Sequence, residues 1–361
     1  MESPKPKITL KTLLFPLVGL LAFFLYIYLF QVDILGILAT LQRADPFPFV
    51  LAAVLSLVEV LFFSMSWRVL VNFLTIKLSV MRSYLFVWYG IFVDILVPAE
   101  SVSGEALRVY LVTKEQGESK FGPVVASLVT HRLLGMVMNV GVLILGMVLI
   151  FSEKEINPLI FNLILFVSFG IALTLSLIML FSFKEKWSLK MIDWLVRAGK
   201  FITRGRWQGQ LTKIKEDASN IAKSFHGSMH EFRHNPKALV FSTFYLGITW
   251  ILSLSIPYLV FISLRYPVSW GVILITSAIV LAVKSIPLGV PFEVGLPEIT
   301  MTTVYISLLG PEAAGISATA TILTRLLTLW LRFFVGFIAQ QWLELKPVLT
   351  PTSSNMPVEK T

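Results

Sequence analysis

Eight apolar runs, at about 12–30, 47–70, 82–97, 121–151, 158–182, 238–262, 268–287 and 312–340, constrain this 361-residue chain more than any other feature. A helix needs roughly 20 apolar residues to cross ~30 Å of hydrocarbon at 1.5 Å per residue, and the runs are of that order. Only 14% of the residues are charged, against about 25% in a soluble domain, so the surface of a soluble fold could not be kept wet. A soluble enzyme, a disordered chain and a nucleic-acid module are thereby excluded. The absence of cysteine excludes disulfides, thiolate catalysis and Cys-based zinc or iron–sulfur sites. The expected fold is an all-α polytopic membrane protein with about eight transmembrane helices and two re-entrant half-helices in two inverted repeats. The first run follows Lys5, Lys7 and Lys11; it is too long for a signal peptide's apolar region and no small-residue cleavage site follows, so it reads as an uncleaved anchor.

The net charge of +9 is local: residues 183–237 hold 12 basic and five acidic side chains, +7 of the total. The positive-inside tendency places this segment and the basic residues 1–11 in the cytoplasm. Both anchors then lie on one side, so the first membrane half, 12–182, needs an even number of crossings. The extra return falls to 98–113 (PAESVSGEALRVYLVT), a re-entrant half-helix. Its counterpart in the second half, 238–342, is 291–309 (PFEVGLPEITMTTVYISLL), entered from the outer side. Within 183–237 the stripes Ile192, Leu195, Val196, Gly199 and Leu211, Ile214, Ala218, Ile221, Phe225 predict two amphipathic helices lying on the membrane surface or packed on each other, a connector whose basic face rests on anionic headgroups. The polar tail 343–361 reads as cytoplasmic and disordered.

The chain repeats itself at an offset of 193 residues: Pro98, Glu105, Gly122, Arg132, Leu133 and Leu134 match Pro291, Glu298, Gly315, Arg325, Leu326 and Leu327. Arg132 and Arg325 both fall near the bilayer centre. Arginine there costs at least ~2.5–3.5 kcal/mol, so each needs a partner or a wet cavity. Pairing of Arg132 with Glu105 and of Arg325 with Glu298 meets that need as a purely structural lock. A paired guanidinium can also offer its remaining donors to phosphate. Ser101 or Ser103 suits the N-cap of the first half-helix and Pro297 the first position of the second, which aims two partly positive N-termini inward. Arg108 lies one turn from Glu105 and can meet an entering phosphate. The candidate substrate-binding set is therefore Arg132, Arg325, Glu105, Glu298, Arg108, Gly104, Ser103 and Gly295. Glu59, Asp94, Lys284, Glu293 and Arg332 are further intramembrane charges; Asp94 and Lys284 line the path or form packing pairs.

His226, His230 and His234 follow at i, i+4 and i+8. The third has turned about 80° off the face of the first, and no carboxylate completes a ligand set, so interfacial residues are expected rather than a metal site. His131 reads as an interior hydrogen-bonded residue, or a proton relay. No phosphate-binding loop, zincin motif, nucleophile elbow or paired-aspartate motif is present. No cofactor and no metal are called for.

Segments 97–134 and 286–336 resemble the lysylphosphatidylglycerol synthase transmembrane region, the flippase-like membrane protein family, over about 12–340. The resemblance is carried by Gly104-Glu105-x-x-Arg108, Arg132, Pro291-x-x-x-Gly295-x-x-Glu298, Arg325, Trp330 and Gly336. It implies an inverted-repeat fold that moves or scrambles a phospholipid or a polyprenyl-phosphate-linked lipid. Phe292, Glu293 and Pro297 stand where the family usually has two glycines and an arginine, and Gly135 where it often has aspartate. The synthases' soluble aminoacyl-transferase domain is not expected on this polypeptide, and neither is aminoacylation of lipids. The leading expectation is a cell-membrane lipid translocase whose partners are anionic membrane lipids, a second copy or a separate lipid-modifying enzyme, and no nucleic acid. The enzymatic alternative is a membrane-embedded transferase or accessory subunit in lipid-linked glycan or aminoacyl-lipid synthesis, with Glu105 or Glu298 as general base. An ion-coupled transporter using Asp94, Lys284 and His131 is a third class.

Overall fold

The computed structural model describes residues 44–97, 102–153, 158–202, 208–284 and 295–349. The first apolar run, Ser101, Pro98, Pro291, Phe292, Glu293 and residues 350–361 lie outside the described residues, and so do the expectations placed on them. The described chain is helical and contains no strand.

In order, the helices are α1 (Pro46–Phe73), α2 (Val80–Leu96), α3 (Val102–Gln116), α4 (Phe121–Glu153), α5 (Pro158–Phe183), α6 (Glu185–Ile202), α7 (Gln208–His234), α8 (Lys237–Ser263), α9 (Trp270–Lys284), α10 (Leu296–Leu309), α11 (Ala314–Arg325) and α12 (Leu331–Leu349). A π-helical turn, Leu326–Trp330, joins α11 to α12. Among the described residues, five spans are long and apolar enough to cross a membrane: Pro46–Phe73, Glu118–Phe151, Ile164–Ser182, Lys237–Ser263 and Pro311–Glu344. Their outward faces are apolar and uncovered, as at Phe166 (70% exposed) and Ile251 (67%), a pattern suited to lipid and not to water.

Two of the expected spans differ. Within the described residues, the runs at 82–97 and 268–287 form helices of 17 and 15 residues, about 25 and 22 Å long at 1.5 Å per residue and shorter than the five long spans. Each packs against the half-helix that follows it, α2 on α3 and α9 on α10. The re-entrant unit is thus a hairpin of two short helices rather than a full span followed by half a helix. The tail also differs: residues 343–349 continue α12, so that part of the expected disordered segment is helical.

The repeat predicted from the sequence is a repeat of elements. A long helix, a tight turn, a short helix, a half-helix, a 3-10 corner and an arginine-bearing helix occur in that order twice. Even the turns correspond. Thr75 (φ 63°) and Arg265 (φ 56°) reverse the chain after α1 and α8. The amides that follow them, Ile76 and Tyr266, donate to Val71 and Phe261. Gly117 (φ 98°) and Gly310 (φ 107°) open the two 3-10 corners in a conformation that side-chain-bearing residues avoid.

α1 and α8, the equivalent long helices, pack along their length. The Asp45 N–H donates to Ser263 O at 2.8 Å, and the Ser66 hydroxyl donates to Ser242 O at 2.9 Å. As one index rises the other falls, so the two helices are antiparallel and the two halves run in opposite directions. Contacts among the repeated helices obey the same exchange: α2 packs on α12 as α9 packs on α4, and α1 on α4 as α8 on α11. The inverted repeat places the two hairpin tips, and the two arginines, at equivalent positions on either side of the α1–α8 pair.

Candidate functional site

The first tip is built from α2, α3 and α4. Asp94, near the end of α2, accepts the Ser103 hydroxyl at 2.7 Å and the Gly104 N–H at 2.6 Å through Oδ1. Ser103 is therefore not the N-cap expected of it; a carboxylate from the neighbouring helix takes that role for α3. Gly104 is where the two helices cross most closely. A Cβ there would run into Asp94 Oδ2 and the Gly90 carbonyl oxygen. Glu105, in the first turn of α3, receives Arg132 Nη1 at 3.4 Å. The Arg132 and Glu105 side chains are 34% and 21% exposed. Arg108 is buried: its Nε donates to Gly104 O at 3.4 Å and its guanidinium carbon stands 5.3 Å from the Trp67 ring. Its Nη1 is buried with no hydrogen-bond partner among the described residues.

The second tip repeats the plan with different chemistry. Gly295 takes φ 101° at the N-cap of α10, and Pro297 sits in the first turn. Glu298 reaches back so that Oε2 accepts the Gly295 N–H at 2.6 Å, while Oε1 accepts Arg325 Nε at 2.5 Å. Both carboxylate oxygens are engaged, and the Arg325 and Glu298 side chains are 7% and 3% exposed. Lys284, in the last turn of α9, stands where Asp94 stands in α2.

Both sequence-derived pairs thus meet, Arg132 with Glu105 and Arg325 with Glu298. The half-helix N-termini differ from the expected open anion wells. Each already holds a carboxylate of the chain, Asp94 on α3 and Glu298 on α10. Donors for an incoming anion are accordingly the guanidinium groups, above all the half-exposed Arg132 and the unsatisfied Arg108.

A further ion pair joins the two halves. Arg332 Nη2 lies 2.5 Å from Glu59 Oε2, and Ser56, one turn before Glu59, donates to the Leu327 carbonyl at 3.1 Å. Leu327 belongs to the π turn that directly follows Arg325. Glu59 and Arg332 are visible in the sequence as intramembrane charges, but nothing local brings residues 273 positions apart together. His131 is buried edge-on against Phe63 at 4.6 Å, and its Nε2 has no partner. No cluster of three or more metal-ligating side chains occurs among the described residues.

The fold and these pairs define a polytopic membrane protein of inverted repeats with a paired carboxylate and arginine in each half. Its family follows from comparison: the chain belongs to the lysylphosphatidylglycerol synthase TM region family, whose pattern matches residues 11–336. Among its relatives, a UPF0104 membrane protein of Pyrococcus horikoshii is 25% identical over 300 residues, covering 82% of this chain and 88% of the relative. UPF0104 membrane proteins of Methanothermobacter thermautotrophicus and Methanocaldococcus jannaschii are 23% and 25% identical, covering 83% and 84% of this chain and 86% and 87% of theirs. No solved structure matches the chain.

Proposed function

We propose that this protein exchanges phosphate-bearing lipids, a phospholipid or a polyprenyl-phosphate lipid, between the leaflets of the cell membrane without nucleotide hydrolysis. Both termini and the basic α6–α7 segment are cytoplasmic in this reading, in keeping with the positive-inside tendency. The observation that carries it is the inequality of two equivalent pairs. Glu298–Arg325 is closed at 2.5 Å and buried, whereas Glu105–Arg132 is loose at 3.4 Å and partly open. An inverted-repeat carrier in one of its two states has this asymmetry, because the half that faces a leaflet is open while its counterpart is sealed.

In the open half, the Arg132 side chain is 34% exposed beside Glu105, and Arg108 lies behind it with an Nη1 that no described residue meets. A headgroup phosphate takes both, while the acyl chains stay in lipid. Release of Arg132 from Glu105 by the phosphate, and its recapture once the lipid leaves, gives the carboxylate its role. Exchange of the closed and open halves delivers the headgroup to the other leaflet.

The test is leaflet exchange of a fluorescent phospholipid in proteoliposomes, read by quenching from outside. Arg132→Ala, and a Glu298→Gln/Arg325→Met double variant that removes the second pair without stranding a charge, are expected to reduce exchange to the protein-free rate. Wild-type rates in both would end this reading.

A further inference from the structure

Away from the Glu–Arg pairs, α7 closes a cavity of about 340 Å³ against the junction of α5 and α6, lined by Ser182, Glu185, Lys223, His226, His230 and Arg233. Ser182 ends an apolar span and Glu185 opens an amphipathic helix, so the cavity lies where the chain leaves hydrocarbon for headgroups. Lys223, His226, His230 and Arg233 recur at helical spacing on one face of α7. Lys223 and Arg233 are exposed at the rim, and neither forms an ion pair with a described residue.

His226 supplies the second observation. It is 8% exposed, and its Nδ1 lies 2.9 Å from the Ser182 carbonyl oxygen. A carbonyl only accepts, so Nδ1 carries the proton of that bond. The other ring nitrogen, Nε2, is buried and has no partner among the described residues. Leaving a buried polar atom unpaired costs about 1–3 kcal/mol, so its retention points to a ligand that completes it. His234 takes no part: its Nδ1 turns to the His230 carbonyl at 3.0 Å.

Two cations and one imidazole nitrogen, outweighing the single carboxylate of Glu185 around a small cavity, match a phosphate monoester. Lysine and arginine donate to its anionic oxygens. With a second pKa of about 6, such a phosphate retains or gives up one proton near neutrality, and that proton bridges to Nε2 from either side. We propose that this cavity binds a phosphate monoester at the membrane surface, held by Lys223 and Arg233 and completed by His226. The same chemistry is offered by a phosphatidic-acid headgroup and by soluble phosphate. The site is separate from the Glu–Arg pairs and does not depend on the translocation reading.

The experiment is calorimetric titration of the purified full-length protein in detergent with inorganic phosphate, dioctanoyl phosphatidic acid and, as the diester control, dioctanoyl phosphatidylcholine. Phosphatidic acid is expected to show a binding component that the cavity variants lose, whereas phosphatidylcholine, a diester, titrates wild type and variants alike. A Lys223→Gln/Arg233→Gln double variant weakens that binding by about tenfold or more, the loss of at least one charge-assisted hydrogen bond. His226→Gln weakens it too. Phosphate binding as tightly as phosphatidic acid supports a soluble ligand; much weaker phosphate binding supports a lipid headgroup. An anion held by Arg132 or Arg325 is common to wild type and variants, so the difference reads this cavity alone. If neither monoester binds, or if the double variant binds both as wild type does, the proposal is wrong. Should circular dichroism show that the double variant loses helix, Lys223→Gln at its exposed rim position provides the same comparison.

Discussion

At the scale of single residues, the two arginines carry different burdens although they are equivalent in the repeat. Arg325 is sealed against Glu298, and removing it leaves a buried carboxylate without a counter-charge. Arg325→Ala is expected to destabilise the protein by about 3–5 kcal/mol. Arg132→Ala, at a loose and partly exposed pair, should change stability by less than about 1 kcal/mol. Unfolding of both variants in detergent, followed by circular dichroism, checks the ordering; equal losses would contradict the open and closed assignment of the two halves. Gly104 is constrained by space, since a Cβ meets the Gly90 backbone as well as Asp94. Gly104→Ala must push α3 off α2, at about 1–3 kcal/mol of overpacking. The same variant is expected to slow leaflet exchange, because it shifts Glu105 and Arg108 with the helix. Exchange at the wild-type rate in a folded Gly104→Ala protein would show that the tip tolerates that shift.

At the scale of elements, the halves diverge behind the arginines. α4 runs through Arg132 as an uninterrupted helix, while its counterpart breaks into the π turn after Arg325. A π turn disturbs the regular ladder of backbone hydrogen bonds and is common at functional sites. Here Ser56 caps the Leu327 carbonyl, and Glu59 holds Arg332 just beyond the turn. The positions that correspond to Arg332 and Glu59 in the repeat are Asn139 of α4 and Thr249 of α8, buried and uncharged. Ser56→Ala removes a buried donor from Leu327 and should cost about 1–3 kcal/mol, more than Thr249→Ala in α8, whose hydroxyl bonds its own helix at the Tyr245 carbonyl. Thermal unfolding of the two variants makes the comparison, and equal shifts would mean that the π turn does not need Ser56. This contrast also marks the limit of what the sequence conveys. The long helices, the hairpin positions and both Glu–Arg pairs are legible because hydrophobic run length and a fixed offset of 193 residues are local or periodic signals. The shortness of α2 and α9, the Asp94 cap on α3 and the Glu59–Arg332 bridge are not, because each depends on which helix faces which. The His226 cavity lies between these cases: the histidine spacing is periodic, but its closure by Ser182 is a tertiary fact.

For the molecule as a whole, inversion of the halves assigns a membrane face to each corner. α3 and α10 lead out of their hairpins to Gly117 and Gly310, the equivalent corners. The antiparallel contact of α1 and α8 puts those corners at opposite ends of the bundle. The first corner also has a basic neighbour. Gly122, at the start of α4, approaches Ser224 of α7 so closely that a Cβ would lie 2.8 Å from the serine Cβ, so this corner shares a face with the basic α6–α7 segment. Lys114 and Lys120 flank it, whereas Pro311 and Glu312 follow the second corner without a basic residue, a difference in the sense of the positive-inside tendency. The absence of native cysteine makes the test clean, since one introduced thiol is the only one in the chain. Glu118 and Glu312 are exposed, each just past its corner glycine. Glu118→Cys should react with a membrane-impermeant maleimide only in inside-out vesicles, and Glu312→Cys only in right-side-out vesicles. Labelling of both from one side would contradict the inverted arrangement, and with it the premise that the two Glu–Arg pairs serve opposite leaflets.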